Sequence, residues 1–89
     1  RAAPRVPAIK DTYGWVLLGA SKTEQALGLL RDAAAALPDN AEVQYHYAAA
    51  LAKSGEGAAA LPVLREALEG ELPAEAGAGA QKLIEELSR

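Results

Sequence analysis

The sequence predicts an all-α chain, two helix-turn-helix units followed by a closing helix. Composition gives the first indication: Phe, Met and Cys are absent from the 89 residues, and Ala and Leu, the strongest apolar helix formers, supply most of the apolar side chains. The second is an internal period of 34 residues. Tyr13, Leu17, Ala26, Leu27, Leu30, Arg31 and Ala33 recur as Tyr47, Leu51, Ala60, Leu61, Leu64, Arg65 and Ala67. Ile9 with Val43, Gly14 with Ala48, and Asp32 with Glu66 match in kind at the same offset. The third is helical spacing of the apolar residues inside each segment.

The first helix is expected at about 7–19, because Pro7 suits a first turn, where its missing N–H costs nothing, and Ile9, Tyr13, Val16 and Leu17 follow at helical spacing. Ser21 with Glu24 three residues on is a capping-box signature for a second helix carrying Ala26, Leu27, Leu30, Ala33 and Ala34 and ending near Leu37. Pro38, Asp39 and Asn40 form a turn, and Asp39 and Glu42 are the expected caps of a third helix at about 41–53, which stops at Ser54-Gly55.

A fourth helix is expected at about 58–69. It contains Pro62, whose cost of about 3 kcal/mol in a helix interior falls near the first turn, so an outward-facing position is expected. A fifth, at about 74–88, carries Ala76, Ala80, Leu83, Ile84 and Leu87 on one stripe and Gln81, Lys82, Glu85 and Glu86 on the other side. Leu83 and Leu87 are expected to cover Leu61, Leu64 and Leu68. Gly77 and Gly79 weaken this helix by about 1 kcal/mol each against Ala, so it should depend on docking.

These positions resemble the tetratricopeptide repeat (TPR). The first copy reads Tyr13-Gly14, Leu17, Ala26, Leu30, Ala33 and Pro38; the second reads Tyr47-Ala48, Leu51, Ala60, Leu64 and Ala67. Departures are Leu72 where proline is expected, with Pro73 one place late, and Lys10 and Gln44 in place of the family's early Trp. Gly14, Ala26, Ala48 and Ala60 supply the small residues that let helix axes approach. The resemblance implies a right-handed TPR superhelix fragment: residues 1–6 as the tail of a preceding repeat, one repeat over 7–40, a second over 41–73, and a C-terminal capping helix over 74–89. Pro4, one period before Pro38, motivates the tail. The cap is expected because a repeat stack otherwise leaves an apolar face in water.

Asp11-Thr12-Tyr13-Gly14-Trp15-Val16-Leu17 and the stretch from Gln44 to Gly55 further resemble the final repeats of a bacterial TPR subgroup that accompanies exosortase and exopolysaccharide loci. That resemblance implies an exported protein, often a lipoprotein, linked to sorting of proteins with a Pro-Glu-Pro (PEP-CTERM) signal, and hence the cell envelope or periplasm. The fragment itself leaves localisation unknown. Because it opens on Arg1, any targeting segment is expected upstream.

The formal charge of −3 comes without a basic stripe, which disfavours nucleic acid. No apolar run approaches the roughly 20 residues of a membrane span. With one histidine, no cysteine, no phosphate loop and no metal-ligand spacing, the sequence supports neither catalysis nor a cofactor nor a metal. What remains is a protein-interaction module that binds a peptide or protein, partner unknown. The alternative is a structural end-cap of a longer solenoid with no ligand of its own.

In TPR stacks the first helix of each repeat lines a concave groove, so the resemblance makes Asp11, Thr12, Trp15, Glu42, Tyr45, His46, Ala49 and Lys53 the partner-binding candidates. Trp15 is the sharpest, as an interface anchor; its competing role is packing against a preceding repeat. Tyr45 and His46 are weighed against ordinary inter-helix packing. Some TPR proteins clamp a terminal carboxylate with Lys and Asn, but Asp11 and Trp15 stand where a cation and an amide are needed, which disfavours such a ligand. Ile9, Trp15 and Val16 are expected to be exposed at the N-terminal end, making self-association through that end a further expectation.

Overall fold

Alanine and leucine at helical spacing fold here into five helices: α1 (Arg5–Gly19), α2 (Thr23–Ala36), α3 (Ala41–Lys53), α4 (Gly57–Glu69) and α5 (Ala74–Leu87). The computed structural model describes residues 5–89, among which there is no strand. Arg1 to Pro4, read above as part of a preceding repeat's tail, lie outside the described residues. Helix α1 begins at Arg5, two residues before the Pro7 signal, so Pro7 sits inside the first turn. Helices α1 and α2 pack as one pair and α3 and α4 as another; α2 joins the pairs, and α5 rests mainly on α4 and partly on α3.

The two pairs end their first helices in the same way. At the end of α1 the Lys22 N–H donates to the Leu17 carbonyl at 2.9 Å and the Ser21 N–H to that of Leu18 at 3.1 Å. One period later Glu56 donates to Leu51 at 2.8 Å and Gly55 to Ala52 at 3.2 Å. This doubled pattern is a Schellman ending, which needs a left-handed residue in the middle. Gly55 takes that conformation at φ 91° and Ser21 at φ 65°.

Two capping expectations are corrected. Ser21 does not cap α2: it is used up in the turn that ends α1, and Lys22 precedes α2 with no side-chain cap bond. Asn40, rather than Asp39 or Glu42, caps α3, its Oδ1 accepting from the Val43 N–H at 3.1 Å, because Asn40 is the residue immediately before the first helical one. Gln44, in the position of the family's tryptophan, has a different task. Its Nε2 donates to the carbonyls of Ala34 at 3.0 Å and Leu37 at 3.1 Å. Pro38 has no N–H to offer Ala34 four residues back, so Gln44 supplies the missing donor to α2 from the next repeat. Lys10, its counterpart in α1, makes an exposed ion pair with Asp32 at 3.2 Å, of little energetic weight.

The core follows the period. Leu30 and Leu64, one repeat apart, are the largest fully buried side chains, and each such burial contributes about 1.5–3 kcal/mol. Leu30 packs with Leu17, Leu18, Ala26 and Ala50. Leu64 packs with Ala48, Leu51, Ala60 and Ala80, and Leu68, Leu83, Ile84 and Leu87 close over that group. Leu61, expected beneath the last helix, is not part of this cluster. Gly14 shows why small residues recur where they do: a Cβ there would come within 2.8 Å of Leu30 Cγ, so a larger residue would force α1 off α2.

Pro62 lies inside α4 and is exposed, as is Ala58, whose carbonyl it leaves without a helical partner, so that carbonyl can turn to water. Gly79 plays a part that helix propensity does not suggest. A Cβ there would collide with the Tyr45 hydroxyl, so α5 needs a glycine at the point where it crosses α3.

Candidate functional site

The site is built on neighbouring faces of α1, α3 and α5. Asp11 and Trp15 stand one turn apart on α1, and Tyr45, His46, Ala49 and Lys53 run along α3. A residue on α1 meets its counterpart region on α3 at an offset near one repeat. Asp11 and His46, 35 residues apart, are joined by a contact of 2.8 Å between Oδ1 and Nδ1. An ionised carboxylate can only accept, so the Nδ1 carries the proton and donates, which fixes the ring's orientation.

Three rings gather around this pair. The Trp15 ring stacks on His46, centroids 4.0 Å apart with planes at 22°. Tyr45 is tilted against both, at 5.7 Å from Trp15 and 5.8 Å from His46. His46 is buried, with 8% exposure, while Trp15 keeps 38%. Burial also raises the Tyr45 phenol above its ordinary 10.0, since water is kept from the phenolate.

Trp15 borders two concavities. The larger, about 580 Å³, is an apolar groove whose walls are Leu18 and Gly19 on α1, Ala49 and Ala52 on α3, and Leu83 and Leu87 on α5, with Lys53 and Glu86 at its rim. The smaller, about 270 Å³, is lined by Trp15 with Glu42, Tyr45, His46, Pro73, Glu75 and Ala76. Of the eight residues singled out in the sequence, Trp15, Glu42, Tyr45, His46, Ala49 and Lys53 line one or other concavity, and Asp11 stands behind them holding His46. Thr12 lies on the other flank of α1, beside Ala8, Ile9, Tyr13 and Val16, and its hydroxyl donates to the Ala8 carbonyl at 3.1 Å. Trp15 faces α3 and α5 rather than that flank.

The wall from α5 was not legible in the sequence. Leu83 and Leu87 read only as packing residues and Glu75 was not singled out, because α5 has no counterpart in the repeat and its docking angle has no periodic signal. Among the described residues, no group of three or more His, Asp or Glu could hold a metal ion, and no helix is long and apolar enough to cross a membrane.

Comparison with known families gives one finding: a family profile described as Tetratricopeptide repeat matches residues 17–84. The profile describes the repeat in general and identifies no subgroup. Among curated proteins and among solved structures no match is found.

Proposed function

The chain belongs to the tetratricopeptide-repeat family, and from that premise we propose that it is a protein-interaction module holding a peptide segment of a partner along the face shared by α1, α3 and α5. The family is a non-catalytic scaffold whose repeats generally mediate protein–protein interaction. The observation that carries the proposal is Trp15, part-exposed between an apolar groove and a polar concavity. A rigid aromatic ring so placed offers contact area at little entropy cost, and the groove beside it suits the apolar side chains of a helical or extended segment. Resemblance to the exosortase-associated subgroup is the support for placing the partner in a bacterial envelope.

The test is selection of random displayed peptides on the purified chain, followed by calorimetry of the selected peptides. Trp15→Ala should weaken binding by at least about 2 kcal/mol, as truncated hot spots do, with helicity retained by circular dichroism. Equal affinities for wild type and variant would remove the groove assignment. A second function, an end-piece closing a stack of repeats, is favoured by the packing of Ala80, Leu83, Ile84 and Leu87 over Leu64. It predicts that no peptide is selected.

A further inference from the structure

We propose that α5 is the movable wall of the apolar groove: it docks and undocks as a unit while α1 to α4 stay folded, and a partner segment is held only while it is docked. This rests on the groove reading above and adds how that site is regulated. The two sides of the groove belong to helices that do not meet. Leu18 and Gly19 come from α1 and Leu83 and Leu87 from α5, yet no Cα of α1 lies within 8 Å of one in α5, whereas α3 packs against both. A segment filling the groove therefore supplies a contact between α1 and α5 that their backbones do not make.

The hold on α5 is packing alone. Gly77 and Gly79 lower its helix propensity, Pro73 precedes it without a side-chain cap bond, and its 14 residues are marginal as an isolated helix in water. Among the described residues, no side-chain hydrogen bond or ion pair reaches it. Three contacts seat it. Ala80 is fully buried in the Leu64 cluster. The Tyr45 hydroxyl lies against the bare backbone of Gly79, and Leu87 covers Gly57, where a Cβ would come within 2.8 Å of Leu87 Cδ2.

Undocking leaves most of the core in place. The cluster around Leu30 and that of Ala33, Ala34 and Val43 take nothing from α5, so the Leu64 cluster alone loses partners. Elements held by few buried contacts open at a lower free energy than the whole domain. When α5 leaves, Leu83, Glu86 and Leu87 leave the groove with it. Leu87 is the link, since the side chain that rests on Gly57 also lines the groove. A segment that needs this wall binds the docked state more tightly, and that difference in affinity draws α5 into place.

Native-state hydrogen exchange of the whole chain, read by ¹H–¹⁵N NMR with and without the tightest peptide from the display selection, tests this. In the free chain the Ala80 to Ile84 amides should exchange at least about tenfold faster than the slowest amides of α2 and α4. At free peptide ten times its Kd they should slow about elevenfold, because opening α5 then requires losing the peptide. Amides of Ala80 to Ile84 as slow as those of α2 and α4 would show that α5 opens only with the whole domain, which overturns the proposal. It is equally overturned if peptide slows the α2 amides, which report global unfolding, and leaves those of α5 unmoved, since the peptide is then held with α5 away. Either result with a peptide bound removes the movable wall and leaves the groove standing. If no peptide binds, the groove reading fails and takes the movable wall with it.

Discussion

The Asp11 carboxylate and the His46 imidazole, on the first helices of successive repeats, meet at 2.8 Å with side-chain exposures of only 13% and 10%. The contact ties α1 to α3 and fixes the ring on which Trp15 stacks. Asp11→Ala should therefore cost about 1–3 kcal/mol by leaving a buried imidazole without its acceptor. Asp11→Ala/His46→Leu, which removes both polar partners, should recover part of that loss. Urea unfolding followed by the fluorescence of Trp15 measures both, and an unchanged midpoint for Asp11→Ala would show the pair to be energetically idle.

Ser21 holds a left-handed conformation that its repeat counterpart, Gly55, adopts without a Cβ. Relieving that strain should outweigh the extra flexibility of glycine in the unfolded chain, so Ser21→Gly should stabilise by up to about 1 kcal/mol. Gly55→Ala should destabilise by about 1–2 kcal/mol on the same grounds. Thermal melts that show both substitutions to be neutral would refute the shared ending.

The residues that were legible in the sequence and those that were not differ in range. Leu30, Leu64, Gly14 and the five helices follow from local spacing and from a period that sets Leu51, Ala60 and Leu64 in the second pair as Leu17, Ala26 and Leu30 in the first. Ser21 misled because Ser-x-x-Glu describes a helix start, whereas here the preceding helix needed a left-handed residue more. His46 was weighed between the groove and inter-helix packing, and nothing within its own helix shows that Asp11 on α1 is the residue it meets. Gln44 looked like a lapse from the family pattern, yet it completes the helix end that Pro38 leaves open. Each miss lies where two elements meet.

Gly77 and Gly79 separate helix propensity from docking. Both are in α5, and replacing either by Ala favours the helix by about 1 kcal/mol. At Gly77 the new Cβ would meet only Leu72 Cβ at 4.0 Å, so Gly77→Ala should stabilise. At Gly79 it collides with the Tyr45 hydroxyl, and overpacking typically costs about 1–3 kcal/mol. Gly79→Ala should therefore destabilise, and Gly79→Ala/Tyr45→Phe should regain stability. Equal stabilisation by both alanines would mean that α5 does not cross Tyr45 as described.

Tyr45 gives a pH signature. Burial raises its phenol above 10.0, so the folded state favours the neutral form more than the unfolded chain does. The corresponding stability is fully present below a pH of about 10 and is lost as pH rises through the folded value. Absorbance titration of the phenols should show one tyrosine ionising late, and Tyr45→Phe should abolish that step. A Tyr45→Phe titration that keeps the late step would assign it elsewhere.

The other flank of α1 leads to self-association. Ile9, Tyr13 and Val16 are 62%, 58% and 61% exposed and lie on one stripe with Val6. Their counterparts one period later are covered: Val43 and Ala50 are buried, and Tyr47 packs against Ala33, Ala34 and Val43. The stripe thus has the composition of a packed face without a helix on it. Exposed apolar faces of this kind favour association, and a second copy offers the same stripe, so a two-fold pairing buries both at once. Sedimentation equilibrium should show dimerisation that strengthens with concentration. Val16→Glu should abolish it by placing two carboxylates in the contact, while leaving the groove on the opposite flank and its peptide binding untouched. A strict monomer at millimolar concentration, or a dimer indifferent to Val16→Glu, would rule out this face as the contact.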